Sequence, residues 1–144
     1  LHEYRDACGR YGVTPNEAEY RAGRVEGLAA YCTPAAVFAS ARQGQTLAEG
    51  CPAKDQAALT EAQRRGSELA RVESDLLDLQ SAILRFEDRS LRQNLTEAER
   101  SHARSLLLRL YREQHRLELL AWRMETAFRA GRPAPPYFGQ GLIY

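Results

Sequence analysis

Three cysteines, Cys8, Cys32 and Cys51, are the side chains of this sequence best suited to covalent chemistry. A redox-active pair calls for a Cys-x-x-Cys spacing or a setting that stabilises a thiolate, and neither is present. An odd number in an oxidising compartment is most simply one structural disulfide with one cysteine left over. The histidines offer less. His102 and His115 are too far apart in sequence for the helix-adjacent spacing of metal ligands, and His115 falls on an apolar stripe, where a packing role is the expectation. Carboxylates occur in near pairs, Glu17 with Glu19 and Asp75 with Asp78, but arginines surround them on helical surfaces. That reads as a solvated charged face, because a glycosidase-like pair needs a cleft. Nucleophilic triads and phosphate-cradling glycine loops are absent from the sequence. No catalytic residue, metal or cofactor is therefore expected, and the chain reads as a non-enzyme.

Cys8 and Cys51 each open a similar stretch. Cys8 is followed by Tyr20, Gly23 and Gly27; Cys51 is followed at the same offsets by Gln63 and Gly66, and then by Ala70. Such a decayed repeat predicts two similar units packed together. It makes Cys8 with Cys51 one candidate pairing. It also places Gly23-x-x-x-Gly27 against the Gly66–Ala70 segment, with Tyr20 and Tyr31 flanking the crossing.

The elements that must position these groups are helical throughout. The chain has 144 residues, enough for one domain with a real core. Thr14-Pro15-Asn16-Glu17 reads as a capped helix start running to about Tyr31. Thr33-Pro34 stops it and opens a short helix through Ala35–Arg42. Gly44 and Gly50 mark a turn-rich connection to Cys51-Pro52. From about Asp55 to Arg89, Leu59, Ala62, Gly66, Leu69, Val72, Leu76, Leu79, Ile83 and Phe86 step by threes and fours. That is the seam of one long helix built for coiled-coil-like packing, with Glu61 and Arg65 as a helix-spaced surface ion pair. Thr96-Glu97-Ala98-Glu99 is a second capping box. Its helix should reach Ala130, with Gly131 as the cap and Pro133 preventing continuation.

This last helix carries two apolar stripes. Ala103, Leu106, Leu110, Leu117, Leu120, Met124 and Phe128 can zip against the preceding helix. Leu108, Tyr111, His115, Leu119 and Trp122 need a different neighbour. Pro133, Pro135 and Pro136 then lead an apolar end, Tyr137, Phe138, Leu142, Ile143 and Tyr144, that either folds back on the hairpin or docks in a partner.

Charge excludes some partners. Lys and Arg number 20 against 19 Asp and Glu, and Lys54 is the only lysine. Acids are threaded among the arginines, so no basic face for nucleic acid is formed. No apolar run approaches the ~18–20 residues of a membrane span. The chain begins at Leu1, which suggests a processed product, and a membrane link is expected only through an anchor upstream of Leu1.

Cys8-Gly9-Arg10-Tyr11-Gly12-Val13, Tyr20-x-x-Gly23, Gly27-Leu28-x-x-Tyr31-Cys32 and Cys51-Pro52 resemble an uncharacterised domain family of small Gram-negative envelope proteins, often lipoproteins. The resemblance covers about residues 1 to 70 and departs from the family pattern at Gln63-x-x-Gly66, where an aromatic is usual. The connection before Cys51 is also poorer in glycine than the family's. The resemblance implies an envelope or periplasmic location, a Cys32–Cys51 disulfide and a free Cys8. That bridge would close a loop of about 20 residues, worth ~3 kcal/mol on the chain-entropy estimate.

The expected architecture is all-α. Residues 1–54 form a small cysteine-containing helical head, 55–130 a long antiparallel helical hairpin, and 131–144 a proline-led apolar tail. The expected role is protein binding or scaffolding in the envelope, as an accessory subunit of a larger assembly, with another protein or a second copy as partner. The docking residues would be Leu108, Tyr111, His115, Leu119, Trp122 and the tail from Tyr137. Two alternatives stand beside it: self-association into a helical bundle, and thiol handling at Cys8.

Overall fold

Three of the helices begin where the sequence supplies a side-chain cap. In a computed structural model, which describes residues 2–14, 16–47, 49–92 and 94–137, the elements are α1 (His2–Gly9), α2 (Glu17–Tyr31), α3 (Pro34–Arg42), α4 (Gln56–Arg92) and α5 (Glu97–Arg129). A 3-10 turn, Ala53–Asp55, leads into α4. No strand occurs among the described residues, and the protein is all-α.

Thr33 caps α3 by accepting from the Ala36 amide. Thr96 accepts from the Glu99 amide while the Glu99 carboxylate accepts from the Thr96 amide, a complete capping box. Those hydrogen bonds hold the Glu99 carboxyl below its usual pKa. The start of α2 differs from the sequence expectation. Asn16, not Thr14, is the cap, its side chain accepting from the amides of Ala18 and Glu19 at 3.0 and 3.4 Å. Asparagine is among the strongest N-caps, and here it stands immediately before the first helical residue. Pro15 lies outside the described residues. Gly131 (φ 62) ends α5, with Arg132 donating to the Ala127 carbonyl and Gly131 to that of Phe128. This doubly bonded exit needs a left-handed residue, which glycine supplies without strain.

α4 and α5, 37 and 33 residues long, are ~55 and ~50 Å rods. They pair antiparallel: Glu87 meets Tyr111 near one end, while Arg42 reaches both Glu73 and Glu125 further along. Leu69, Val72, Leu79 and Ile83 of α4 interleave with Leu117 and Met124 of α5, and Val37, Phe38, Cys51 and Leu59 extend this cluster into the head. All of these are less than 9% exposed, and each is worth roughly 1.5–3 kcal/mol of transfer free energy if large and apolar.

α3 lies along α4 at Gly66. A Cβ there would stand 2.5 Å from the Phe38 carbonyl oxygen and 2.7 Å from the Ala41 Cβ, so only glycine permits the approach. Phe38 stacks on Phe128 of α5 with centroids 3.8 Å apart and planes 9° from parallel. Arg42 closes the far end of α3 in a fork to Glu73, and its pKa is raised by that hydrogen bond.

The expected packing of Gly23 and Gly27 against Gly66–Ala70 is corrected. Nothing lies within 4 Å of a Cβ built at Gly23 or Gly27, and α2 has no buried residue. The two stretches share spacing but not surroundings, because α3 occupies the Gly66 side of α4. Tyr20 and Tyr31 are half-buried, and the Tyr31 hydroxyl donates to the Thr46 carbonyl at 3.4 Å without flanking a helix crossing.

The Glu61–Arg65 ion pair is corrected too. Arg64 takes Glu61, with bonds of 2.9 and 2.7 Å. Arg65 turns inward to 8% exposure, lies 5.2 Å from the Phe128 ring centroid and donates to the Arg132 carbonyl at 2.7 Å. A buried guanidinium needs such partners. It ties the start of α4 to the segment after α5.

Candidate docking face

The cysteines are disposed structurally. Cys32 and Cys51 are bridged, S–S 2.13 Å and Cα–Cα 5.5 Å, joining the end of α2 to the approach of α4. Cys8 on α1 is free and half-buried. The rival pairing of Cys8 with Cys51 is thereby excluded.

A cleft of about 500 Å³ lies between α3 and α5. Its charges neutralise one another: Arg42 is bound to Glu73 and Glu125, and Arg129 to Glu125 at 2.6 Å. Paired in this way, these groups tie α3 to α4 and α5 across the cleft.

α5 has two faces, as its spacing predicts. Ala103, Leu117, Met124 and Ala127 are buried and Leu106, Leu110, Leu120 and Phe128 half-buried. On the opposite side Leu108 is 61% exposed, Tyr111 44%, Leu119 41% and Trp122 63%, with His115 exposed among them. His115 Nδ1 stands 3.8 Å from the Glu118 carboxylate, and the Tyr111 hydroxyl donates to Glu87, which raises the Tyr111 pKa. Beside Trp122 a shallow groove of about 430 Å³ opens between α5 and the returning tail, walled by Ala127, Pro133 and Pro135. The five residues form one continuous outward stripe.

The tail, as far as it is described, folds back. Tyr137 packs against the core cluster and its hydroxyl donates to the Asp75 carboxylate. Burial first, and the bond to Asp75 second, push its pKa up to about 12. Tyr137 is therefore engaged within the chain, a correction to its expected place in a docking surface. Phe138, Leu142, Ile143 and Tyr144 lie outside the described residues.

One apolar feature escaped the sequence reading. Leu77, Leu84 and Leu91 are 63%, 66% and 87% exposed along α4. Their strict seven-residue spacing, off the main seam, was the signal available for finding them.

Among known proteins, the family model described as a protein of unknown function (DUF2799) matches residues 1–68. These are α1 to α3 and the beginning of α4, which supports placing that stretch with an uncharacterised family. No curated protein and no solved structure matches the chain.

Proposed function

We propose that this chain is a non-enzymatic binding or scaffold protein of the periplasm or cell envelope, acting as an accessory subunit of a larger assembly. The observation that carries the reading is the outward stripe of α5. Leu108, Tyr111, Leu119 and Trp122 expose large apolar area on a helix whose other face already fills the core. A Trp and a Tyr among aliphatic neighbours are the residue types enriched in binding hot spots. The Cys32–Cys51 bridge supports an oxidising compartment.

Charge along the stripe argues for a partner other than a second α5. Arg109, Arg112 and Arg123 recur on one flank by helical spacing, with Arg116 among them forked to Glu113. Antiparallel pairing of two such faces sets arginine rows side by side, which is repulsive. A partner bearing carboxylates on that flank is favoured.

A photo-crosslinking side chain at Leu119 in cells tests this. One discrete heterologous adduct, lost on Arg112→Glu, is expected. Adducts only between copies of this chain, or none above those formed at exposed Thr60, would refute the reading.

A further inference from the structure

A second apolar surface runs along the open length of α4 and meets the α5 stripe only at Tyr111. Gly66 and Glu73 mark the face of α4 that α3 covers. α3 has only 9 residues and ends at Arg42, whose guanidinium spans Glu73 on α4 and Glu125 on α5. The same face of α4 continues as Leu77, Gln80, Leu84, Glu87 and Leu91 by heptad spacing, with its three leucines open to solvent. The α5 wall continues alongside. Glu118 and Tyr111 step back from Glu125 at seven-residue intervals, and Tyr111 touches Glu87 across the groove. The seat of α3 is thus one third-helix groove, filled at its head end and open beyond it. Its open part repeats the pattern α3 satisfies: apolar positions flanked by carboxylates that suit an arginine.

We propose that this open length seats α2 of a second copy, reciprocally, so that two chains exchange their α2 helices. Four observations support the choice of occupant. From Leu77 to Leu91 the groove is ~21 Å long, and α2, with 15 residues, is ~22 Å. α2 has no buried residue in its own chain, and a helix of that length is marginal in water without packing. Like α3, it combines small residues with arginine: Ala22, Gly23, Gly27 and Ala30 beside Arg24, against Ala41 beside Arg42 on α3, where Val37 and Phe38 fill the rest of the seat. Finally, its own chain cannot fill the groove. The bridge from Cys32 to Cys51 fixes the C-terminal end of α2 near the start of α4, and Leu77 lies ~31 Å along α4 from Gln56, beyond the reach of a ~22 Å helix.

The area suffices. Leu77, Leu84, Leu91 and Tyr111, at 44–87% exposure, present ~300 Å² of apolar side chain. Counting the matching area of α2, and both seats, the exchange removes ~1,200 Å², the lower edge of stable specific interfaces.

The test is molar mass in solution by light scattering on the oxidised chain. Twice the 16.2 kDa chain mass is expected. Leu84→Glu in the groove and Gly23→Leu on α2 should each weaken the dimer at least ~100-fold in dissociation constant. Both should keep the helical circular dichroism of the dilute protein and neither should lower its melting, since Leu84 is exposed and nothing lies within 4 Å of a Cβ at Gly23, where leaving glycine only gains helix propensity. Mixing the two variants should restore a weaker dimer, because the mixed pair retains one intact helix and one intact groove that fit each other. A monomer at hundreds of micromolar overturns the proposal. So does a dimer that both variants leave intact, or one that Trp122→Ala dissolves and Leu84→Glu does not. Failure here leaves the α5 stripe untouched, since that face is read separately by the Leu119 crosslink.

Discussion

Replacing glycine by alanine at Gly27 and at Gly66 makes the same chemical change in two helix interiors, with opposite expected signs. In both helices alanine gains roughly 0.5–1 kcal/mol of helix propensity over glycine. At Gly27 nothing lies within 4 Å of the new Cβ, so that gain stands and Gly27→Ala is stabilising by that amount. At Gly66 the Cβ meets the Phe38 carbonyl oxygen at 2.5 Å, the Ala41 Cβ at 2.7 Å and the Arg42 nitrogen at 3.2 Å. Two of these are backbone atoms and cannot rotate aside. Carbon atoms prefer ~3.5–4.0 Å, so α3 must retreat by about 1 Å. That retreat loosens the Phe38–Phe128 stack and the Arg42 fork to Glu73. Overpacking of this kind costs about 1–3 kcal/mol, leaving a net loss of about 1–2 kcal/mol. Thermal unfolding followed by circular dichroism, on oxidised protein dilute enough to be monomeric, reads the difference. At ~3–4 °C per kcal/mol for a chain of this size, Gly66→Ala falls by roughly 5 °C while Gly27→Ala rises by about 2–3 °C. If Gly66→Ala melts at or above Gly27→Ala, the close approach of α3 is wrong.

Other outcomes follow from the same contacts. Alkylation and intact mass should label one thiol, Cys8, without reductant and three after reduction, and reduction should destabilise the chain by ~3 kcal/mol through the Cys32–Cys51 loop. Trp122→Ala should shift stability by no more than ~0.5 kcal/mol, against ~2–5 kcal/mol for Leu69→Ala, fully buried on α4; comparable losses would make the α5 stripe core. Tyr137→Phe should cost about 1 kcal/mol by removing the donor to Asp75. Because the folded pKa of Tyr137 is raised above its unfolded value of ~10, its contribution is complete below about pH 10. It is lost as pH climbs toward about 12, and ultraviolet phenolate titration should show one fewer late-titrating tyrosine in the variant than in wild type, where Tyr111 is also raised.

Helix ends and the hairpin seam were legible in the sequence, because caps and heptads act through residues three or four apart. Thr33, Thr96 and Gly131 each do locally what their types imply. Asn16 superseded Thr14 because both are good caps and only the backbone decides which one meets the first free amides. What spacing cannot carry is the identity of a neighbour. Gly23 and Gly66 occupy matched positions, yet one faces open space and the other a helix backbone. Arg65 has the right spacing for Glu61, but its side of α4 faces Phe128 and the Arg132 carbonyl. The outward stripe of α5 was readable as surplus apolar surface, whereas the engagement of Tyr137 by Asp75, remote in sequence, was not.

The antiparallel pairing of α4 and α5 also dictates an order of assembly. Contacts near the turn span short stretches of chain, as with Glu87 and Tyr111, separated by 24 residues. At the opposite end Arg65 and Arg132 are 67 apart, and loop-closure entropy rises with that separation. Folding should therefore start beside the turn and zip toward the head, as low-contact-order helical proteins do. Mutational φ-values should decline from Ile83 toward Phe128. The head-end contacts then close last and open first. The disulfide stands at that end, where an early opening of the zipper would begin.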